Sequence, residues 1–241
     1  MAKNEKMELS GLSELPYTSM INGFRVRPGL FQIKGAMAVP GGVSFTIQSS
    51  YGTSCELCLI HRKEQEPYAV LPFPDDCRIG NTFSMLVFGL DINEFEYAYR
   101  VDGPYDPSRG LLFDKSKYLL DPYARAVTGQ SVWGSPKLPG STYHARVVED
   151  VFDWGGYRDH RVPFQDMVIY ETHVRGFTKH PSSGVKHPGT FEGLLEKLPY
   201  LLELGINTIE LMPIFEFDEM AGARNVNGNQ LVDYWGYNTV C

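Results

Sequence analysis

The chain has 241 residues, 43% of them hydrophobic and 21% charged, with a net charge of −7; such a composition fills one large or two modest globular cores. The acidic balance offers no electrostatic footprint for nucleic acid, and no apolar run approaches the roughly 18 residues of a membrane span. Four cysteines in a chain of this length do not make a disulfide framework, so a cytoplasmic, reducing compartment is expected.

Residues 1–22 read as a solvated lead-in: Glu5, Glu8 and Glu14 interrupt any apolar stretch, so no secretory h-region is present. From Gly41 to about Val101 short strands alternate with turns. "GGVSFTIQS" puts Val43, Phe45 and Ile47 on one face, "CELCLIH" alternates Leu57 and Leu59 with Cys58 and Ile60, and "EFEYAYRVDG" aligns Phe95, Tyr97 and Tyr99. Between them "LPFPDD" and "RIGN" supply turn chemistry. Strands at this spacing predict an all-β sandwich over residues 23–134. Cys55-x-x-Cys58 lacks the second Cys/His pair of a zinc site, and on a strand its members point to opposite faces, so both are expected to be structural. No metal site or cofactor is expected.

"DGPYDPSRGLLFDKSKYLLDPYARAV" predicts a loop-rich strap packed by Tyr105, Leu112, Phe113, Tyr118, Leu119 and Leu120. "GSPKLPGSTY" and "DWGGYRDHRVP" read as connecting segments, giving a linker over 135–163. Beyond it "DMVIYETHV" has the apolar, β-branched character of a strand and "RGFTKHPSSGVKHPG" reads as a long polar loop. "TFEGLLEKLPYLLELG" repeats Phe191, Leu194, Leu195, Leu198, Leu201 and Leu202 at helical spacing. Thr190 is placed to cap that helix and Gly205 to end it, while Pro199 predicts a break and restart near Lys197. "INTIELMPI" is a second strand. Strand, helix and strand within fifty residues form a βαβ unit with parallel strands. No glycine-rich phosphate loop opens the helix, which leaves the start of a (β/α) barrel, whose chemistry sits in the loops after each strand.

At these residues a resemblance enters. "DMVIYETHVRGFT", "GTFEGLLEKLPYLLELGINTIELMPIFEFDE" and "YWGYNT" resemble the start of the catalytic barrel of isoamylase-type glycogen and starch debranching enzymes, in the α-amylase superfamily of glycoside hydrolases. "GFRVRPG", "GGVSFTIQSSYGTSCELCLI" and "YAYRVDGPYDPSRGLLFDKSKYLLDPYARAVTG" resemble the carbohydrate-binding-module-like domain that precedes it. The fold implied is an immunoglobulin-like β-sandwich followed, over 164–241, by the first βαβ portion of an incomplete (β/α)8 barrel. The activity implied is hydrolysis of α-1,6 branch linkages with retention, on a branched α-glucan such as glycogen, starch or limit dextrin, with neither nucleic acid nor membrane as partner.

In that family the catalytic carboxylates follow the fourth, fifth and seventh barrel strands, so the resemblance implies a partial protein without them and without hydrolysis of its own. Glu171 and Glu210 on the two strands match no catalytic position and are expected to be structural. Glu216, Asp218 and Glu219 read as a solvated loop face, and His173 as a hydrogen-bonded framework residue at a strand end. Tyr237 matches a tyrosine that packs on the sugar ring beside the bond being cut, and Trp235 stands where it could wall the same site or pack in a core. Two other readings stay open: a glucan-binding module without catalysis, and a portion of a glycogen branching enzyme, a transferase with the same domain order.

Overall fold

The computed structural model describes residues 15–129, 132–135, 142–149, 152–157 and 161–241. Most of the expected lead-in, and residues 136–141 of the first connecting segment, lie outside them. Among the described residues no helix is long and apolar enough to cross a membrane. The chain divides into two compact units: one holds the described residues up to Val132 with 142–149 and Cys241, the other Trp133–Ser135 and the described residues from Phe152 to Val240.

The first unit is a two-sheet β-sandwich. Its strands are β1 (Ser19–Ile21), β2 (Phe24–Pro28), β3 (Gly35–Val39), β4 (Gly42–Gln48), β5 (Ser54–His61), β6 (Pro67–Pro72), β7 (Arg78–Ile79), β8 (Thr82–Phe88), β9 (Phe95–Asp102), a small hairpin of β10 (Tyr105–Asp106) and β11 (Leu111–Leu112), β12 (Ala126–Thr128) and β13 (His144–Arg146). One sheet runs β1-β2-β8-β4-β3 with β7 added to β8; the other runs β12-β13-β9-β5-β6. The pairs within both sheets are antiparallel. The period-two pattern does what it must: Val43, Phe45 and Ile47 of β4, Phe83, Met85 and Val87 of β8, Leu57 and Leu59 of β5 and Phe95, Tyr97 and Tyr99 of β9 meet in one core.

Phe45 sits edge-on to Tyr97 at 5.2 Å and Tyr97 edge-on to Tyr99 at 5.8 Å, the tilted geometry that ring quadrupoles favour. The Tyr97 hydroxyl donates to Asp121 Oδ2 at 2.8 Å, while Asp121 Oδ1 accepts the Tyr123 amide at 2.8 Å. Burial raises the Asp121 carboxyl, opposed by those two hydrogen bonds. Cys55 faces the core and Cys58 the opposite side of β5, both buried and free. Burial pushes Cys58 up to about 11 and Cys55 higher still, so neither is a reactive thiolate.

The strap packs differently from its sequence-based expectation. Phe113 and Leu120 lie against the core and the Tyr118 hydroxyl donates to Glu66 at 3.3 Å, but Tyr105, Leu112 and Leu119 are exposed. The reason is the hairpin itself. Tyr105 pairs with Leu112 and Asp106 with Leu111, so alternation turns Leu111 inward and its neighbour out. The connecting stretch also contributes to the sheet, since His144–Arg146 pairs with β9 and β12. There the buried His144 Nδ1 lies 3.1 Å from Glu96 Oε2.

The second unit contains β14 (Ile169–Thr172) and β15 (Thr208–Leu211), paired in parallel with Tyr170 opposite Ile209 and Glu171 opposite Glu210. Between them come α1 (Val174–Lys179), α2 (Phe191–Glu196) and α3 (Leu198–Glu203). Thr190 caps α2 by accepting the Gly193 amide, the chain breaks at Lys197 with Pro199 in the first turn of α3, and Gly205 follows in the left-handed region at φ 81°. Asn207 ties the strand starts, its Oδ1 accepting the Val168 amide at 2.8 Å and its Nδ2 donating to the Asp166 carbonyl at 2.8 Å. A small hairpin of β16 (Arg224–Val226) and β17 (Asn229–Leu231) follows β15.

Val174, expected to end a strand, and residues 175–179, expected within a long loop, form the helix α1. His173 provides the cap, its Nδ1 accepting the Gly176 amide at 2.9 Å, and Phe177 reaches back to Tyr170 with ring centroids 5.8 Å apart. The remainder of that segment is also fixed: Glu196 accepts the Lys186 amide at 2.9 Å, and the buried Thr178 hydroxyl accepts the Gly189 amide at 2.8 Å.

Candidate functional site

The C-terminal ends of β14 and β15 deliver His173 and Pro213, and the polypeptide from Asp233 to Val240 runs beside the loop that follows β15. Two backbone attachments hold it there: Asp233 N donates to Glu219 O at 2.9 Å, and an antiparallel bridge between Phe217 and Thr239 includes the bond from Val240 N to Glu216 O at 2.8 Å. Gly236, at φ 77°, lies over the Phe217 ring; a Cβ there would stand 3.0 Å from two ring carbons. The Asp233 carboxylate accepts the Trp235 amide at 3.2 Å. A short, pinned segment results.

On that segment Tyr234 stacks on His173 with centroids 4.8 Å apart and planes at 27°, and Trp235 meets the same imidazole edge-on at 6.4 Å. Trp235 is 57% exposed and Tyr237 66% exposed. Both rings therefore offer faces to solvent from a backbone that is held in place. His173 acts as a framework residue: it caps α1 with Nδ1 while its ring supports Tyr234.

A cavity of about 260 Å³ opens next to these groups, lined among others by Trp133, His173, Arg175, Thr190, Phe217 and Tyr234. Neither Trp235 nor Tyr237 lines it. Arg175 places its guanidinium 4.2 Å from the centre of the Trp133 ring, and Trp133 meets Phe217 edge-on at 5.5 Å. The cavity wall is thus a cation–π stack locked onto the same Phe217 that seats Gly236.

The carboxylates divide. Glu171 and Glu210 are register partners on adjacent parallel strands, and both are exposed. Each is the third residue of a four-residue strand, one position before its C-terminal end. Glu216 is exposed and Asp218 caps a turn through the Met220 amide at 3.1 Å. Although the residue as a whole is exposed, partial desolvation of its carboxyl, and then the charge of Glu219, raise Glu216 above its ordinary value. Glu219 is not part of a solvated face: it is 2% exposed and accepts the Gly134 amide at 2.6 Å. A partner 85 positions away in sequence has no local signature, which is why sequence reasoning misses it. Among the described residues no group of three or more His, Cys, Asp or Glu is placed to hold a metal ion.

Residues 33–124 match the family of carbohydrate-binding module 48, the isoamylase N-terminal domain. The chain is 38% identical over 225 residues to the chloroplastic isoamylase 1 of Oryza sativa subsp. japonica, covering 90% of this chain and 28% of that protein. It is 35% identical over 215 residues to the glycogen debranching enzyme of Yersinia enterocolitica, covering 83% of this chain and 31% of that enzyme. Among solved structures, apo pullulanase from Paenibacillus barengoltzii shares the fold at a TM-score of 0.61 and 20% identity, over 88% of this chain and 30% of that one. The Group B Streptococcus pullulanase SAP matches at 0.58 and 25% identity, over 79% of this chain and 25% of that one. The chain thus spans about a third or less of the length of each. Residues 33–124 match the isoamylase N-terminal module, and along most of its length the chain is similar to isoamylases and to a glycogen debranching enzyme.

Proposed function

We propose that this chain forms part of a hydrolase cutting α-1,6 branch linkages in glycogen, starch or limit dextrin with retention of configuration. In this reading residues 23–134 are the glucan-binding sandwich, 135–163 the linker and 164–241 the opening βαβ portion of a (β/α)8 barrel. The parallel pair β14–β15, with its helical crossover and its long loops at the strand C-terminal ends, supports the barrel assignment.

The observation that carries the reading is the pinned segment at 233–240, which presents Trp235 and Tyr237 beside those strand ends. A flat ring packs on the C–H face of a glucosyl unit while the tyrosine hydroxyl reaches its rim. Tyr237 is the ring that stacks and Trp235 the wall. Retaining hydrolysis requires a nucleophile and an acid about 5–5.5 Å apart across the scissile bond. Glu171 and Glu210 match no catalytic position of the resembled family and Glu219 accepts a backbone amide, so residues 164–241 are proposed to bind glucan without cutting it. The buried free thiols of Cys55, Cys58 and Cys77 support a reducing, cytoplasmic setting.

Native electrophoresis through gels containing glycogen tests this. The chain is expected to be retarded, Tyr237→Ala to migrate faster than wild type, and neither to release reducing ends. Free migration of the wild type, or measurable debranching by it, would overturn the proposal. A module match over 33–124 also favours a second reading, a glucan-binding module alone. That reading predicts retardation unchanged by Tyr237→Ala.

A further inference from the structure

The chain contains two Asn-Gly pairs, Asn22-Gly23 and Asn227-Gly228, and each forms the two-residue loop of a hairpin. The loops share their backbone form: φ is 48° and 87° in the first and 51° and 81° in the second, left-handed at every position as a type I′ turn requires. Both pairs are exposed, and a Cβ at either glycine would meet no atom within 4 Å. The difference lies in what holds the asparagine. Asn22 Nδ2 donates to the Val70 carbonyl at 2.7 Å, and β2 of its hairpin pairs with β8 in a six-stranded sheet. The Asn227 side chain makes no hydrogen bond among the described residues, and β16 and β17 pair only with each other. The Gly228 amide donates to Asn225 Oδ1 at 3.0 Å.

We propose that Asn227 is a site of self-catalysed deamidation, converted to aspartate and isoaspartate while the fold protects Asn22. The Gly228 nitrogen attacks Asn227 Cγ: the N–Cγ bond forms, the Cγ–Nδ2 bond breaks, and the Gly228 amide proton leaves with the side-chain nitrogen as ammonia. One water then opens the succinimide ring, at Cγ to give aspartate or at the main-chain carbonyl to give isoaspartate. Nothing in the reaction depends on the proposed handling of glucan. Glycine at 228 leaves the attacking nitrogen unshielded. Ring closure requires the turn to leave its resting geometry and Gly228 to release Asn225. A three-residue ladder that no third strand supports opens at little cost. At Asn22 the same rotation must break the Val70 bond inside a larger sheet. Aspartate puts a negative charge on the tip from Val226 to Asn229, which carries none. Isoaspartate also adds a methylene to the backbone between Val226 and Asn229, whose pairing sets the hairpin register. The hairpin lies in the loop that the Asp233–Glu219 backbone bond closes, so the conversion alters the chain leading into the pinned segment.

The test incubates the full chain in warm, mildly alkaline buffer, with a parallel incubation in concentrated urea. Samples are digested at mildly acidic pH, and each Asn-Gly peptide is quantified by mass spectrometry with isoaspartate separated from aspartate by chromatography. In the native protein Asn227 is expected to convert about five- to ten-fold faster than Asn22, the scale of one net hydrogen bond together with local opening of the sheet. In urea the two rates should converge, because only the shared Asn-Gly chemistry remains. Asn227→Gln, which would have to close a larger ring, should abolish conversion at 227 and leave Asn22 unaltered. Equal native rates, faster conversion at Asn22, or aspartate without isoaspartate at 227 would overturn the proposal. So would a preference that persists undiminished in urea, since it would come from flanking residues and not from the fold.

Discussion

Two tyrosines two residues apart on β9 face the same core and differ in one respect. The Tyr97 hydroxyl donates to Asp121, whereas the Tyr99 hydroxyl is buried without a hydrogen-bond partner among the described residues. Removing one member of a buried hydrogen bond costs about 1–3 kcal/mol, while removing an unsatisfied group costs nothing of that kind. Tyr97→Phe is therefore expected to lower the urea midpoint clearly, and Tyr99→Phe to leave it level or raise it. Equal losses in the two variants would show that packing, not the Asp121 contact, governs this part of the core. The aromatic alternation was legible in the sequence because β9 is covered on the core side along its length. The difference between the two hydroxyls was not, because it depends on a strap residue more than twenty positions away.

β13 is a three-residue strand with a single registered partner on β9, Ala145 opposite Tyr97. The His144–Glu96 contact reinforces it. Burial works to raise the Glu96 carboxyl, but hydrogen bonds from His144, Thr128 and the Lys63 amide, and the His144 charge, outweigh it and leave the group below its ordinary value of 4.5. A depressed carboxylate contributes stability that is fully present above its unfolded value and is lost as pH falls through the folded one. Thermal melts from pH 7 downward should show Glu96→Gln less stable than wild type at neutrality and the gap closing below about pH 4.5. A gap that stays constant with pH would exclude this linkage. Elements with strong periodicity, the sandwich strands and the broken helix at 191–203, were readable from residue spacing. The helix α1 was not, because six residues containing a glycine and a threonine give too little pattern and its stability comes from the His173 cap and the Phe177–Tyr170 contact.

The two units carry their apolar residues differently. The sandwich buries Phe45, Leu57, Tyr97 and Tyr99 between its sheets although Tyr105 and Leu112 of the strap stay exposed, while the second unit exposes Phe191, Leu195, Leu202, Ile214 and Phe215. Exposed apolar surface of this kind drives association unless charge opposes it. With a net charge of −7 at neutrality and a sequence pI near 5.4, the protein is expected to sediment as a smaller species at pH 8 in low salt and to self-associate as pH approaches 5.4. Leu195→Glu with Leu202→Glu should suppress that shift; association unaffected by both changes would place the contact elsewhere.

Phe217 occupies the space a side chain at position 236 would need, and so the corner carrying Trp235 and Tyr237 can vary only in concert. Glycine at 236 is required twice, by its left-handed φ of 77° and by the Phe217 ring, so shrinking 217 lifts only the second constraint while also freeing Trp133 and, through it, Arg175. The angle between the two terminal rings is thus inherited from a neighbouring loop. Divergence in ligand preference at this corner would have to begin at a phenylalanine rather than at the rings themselves.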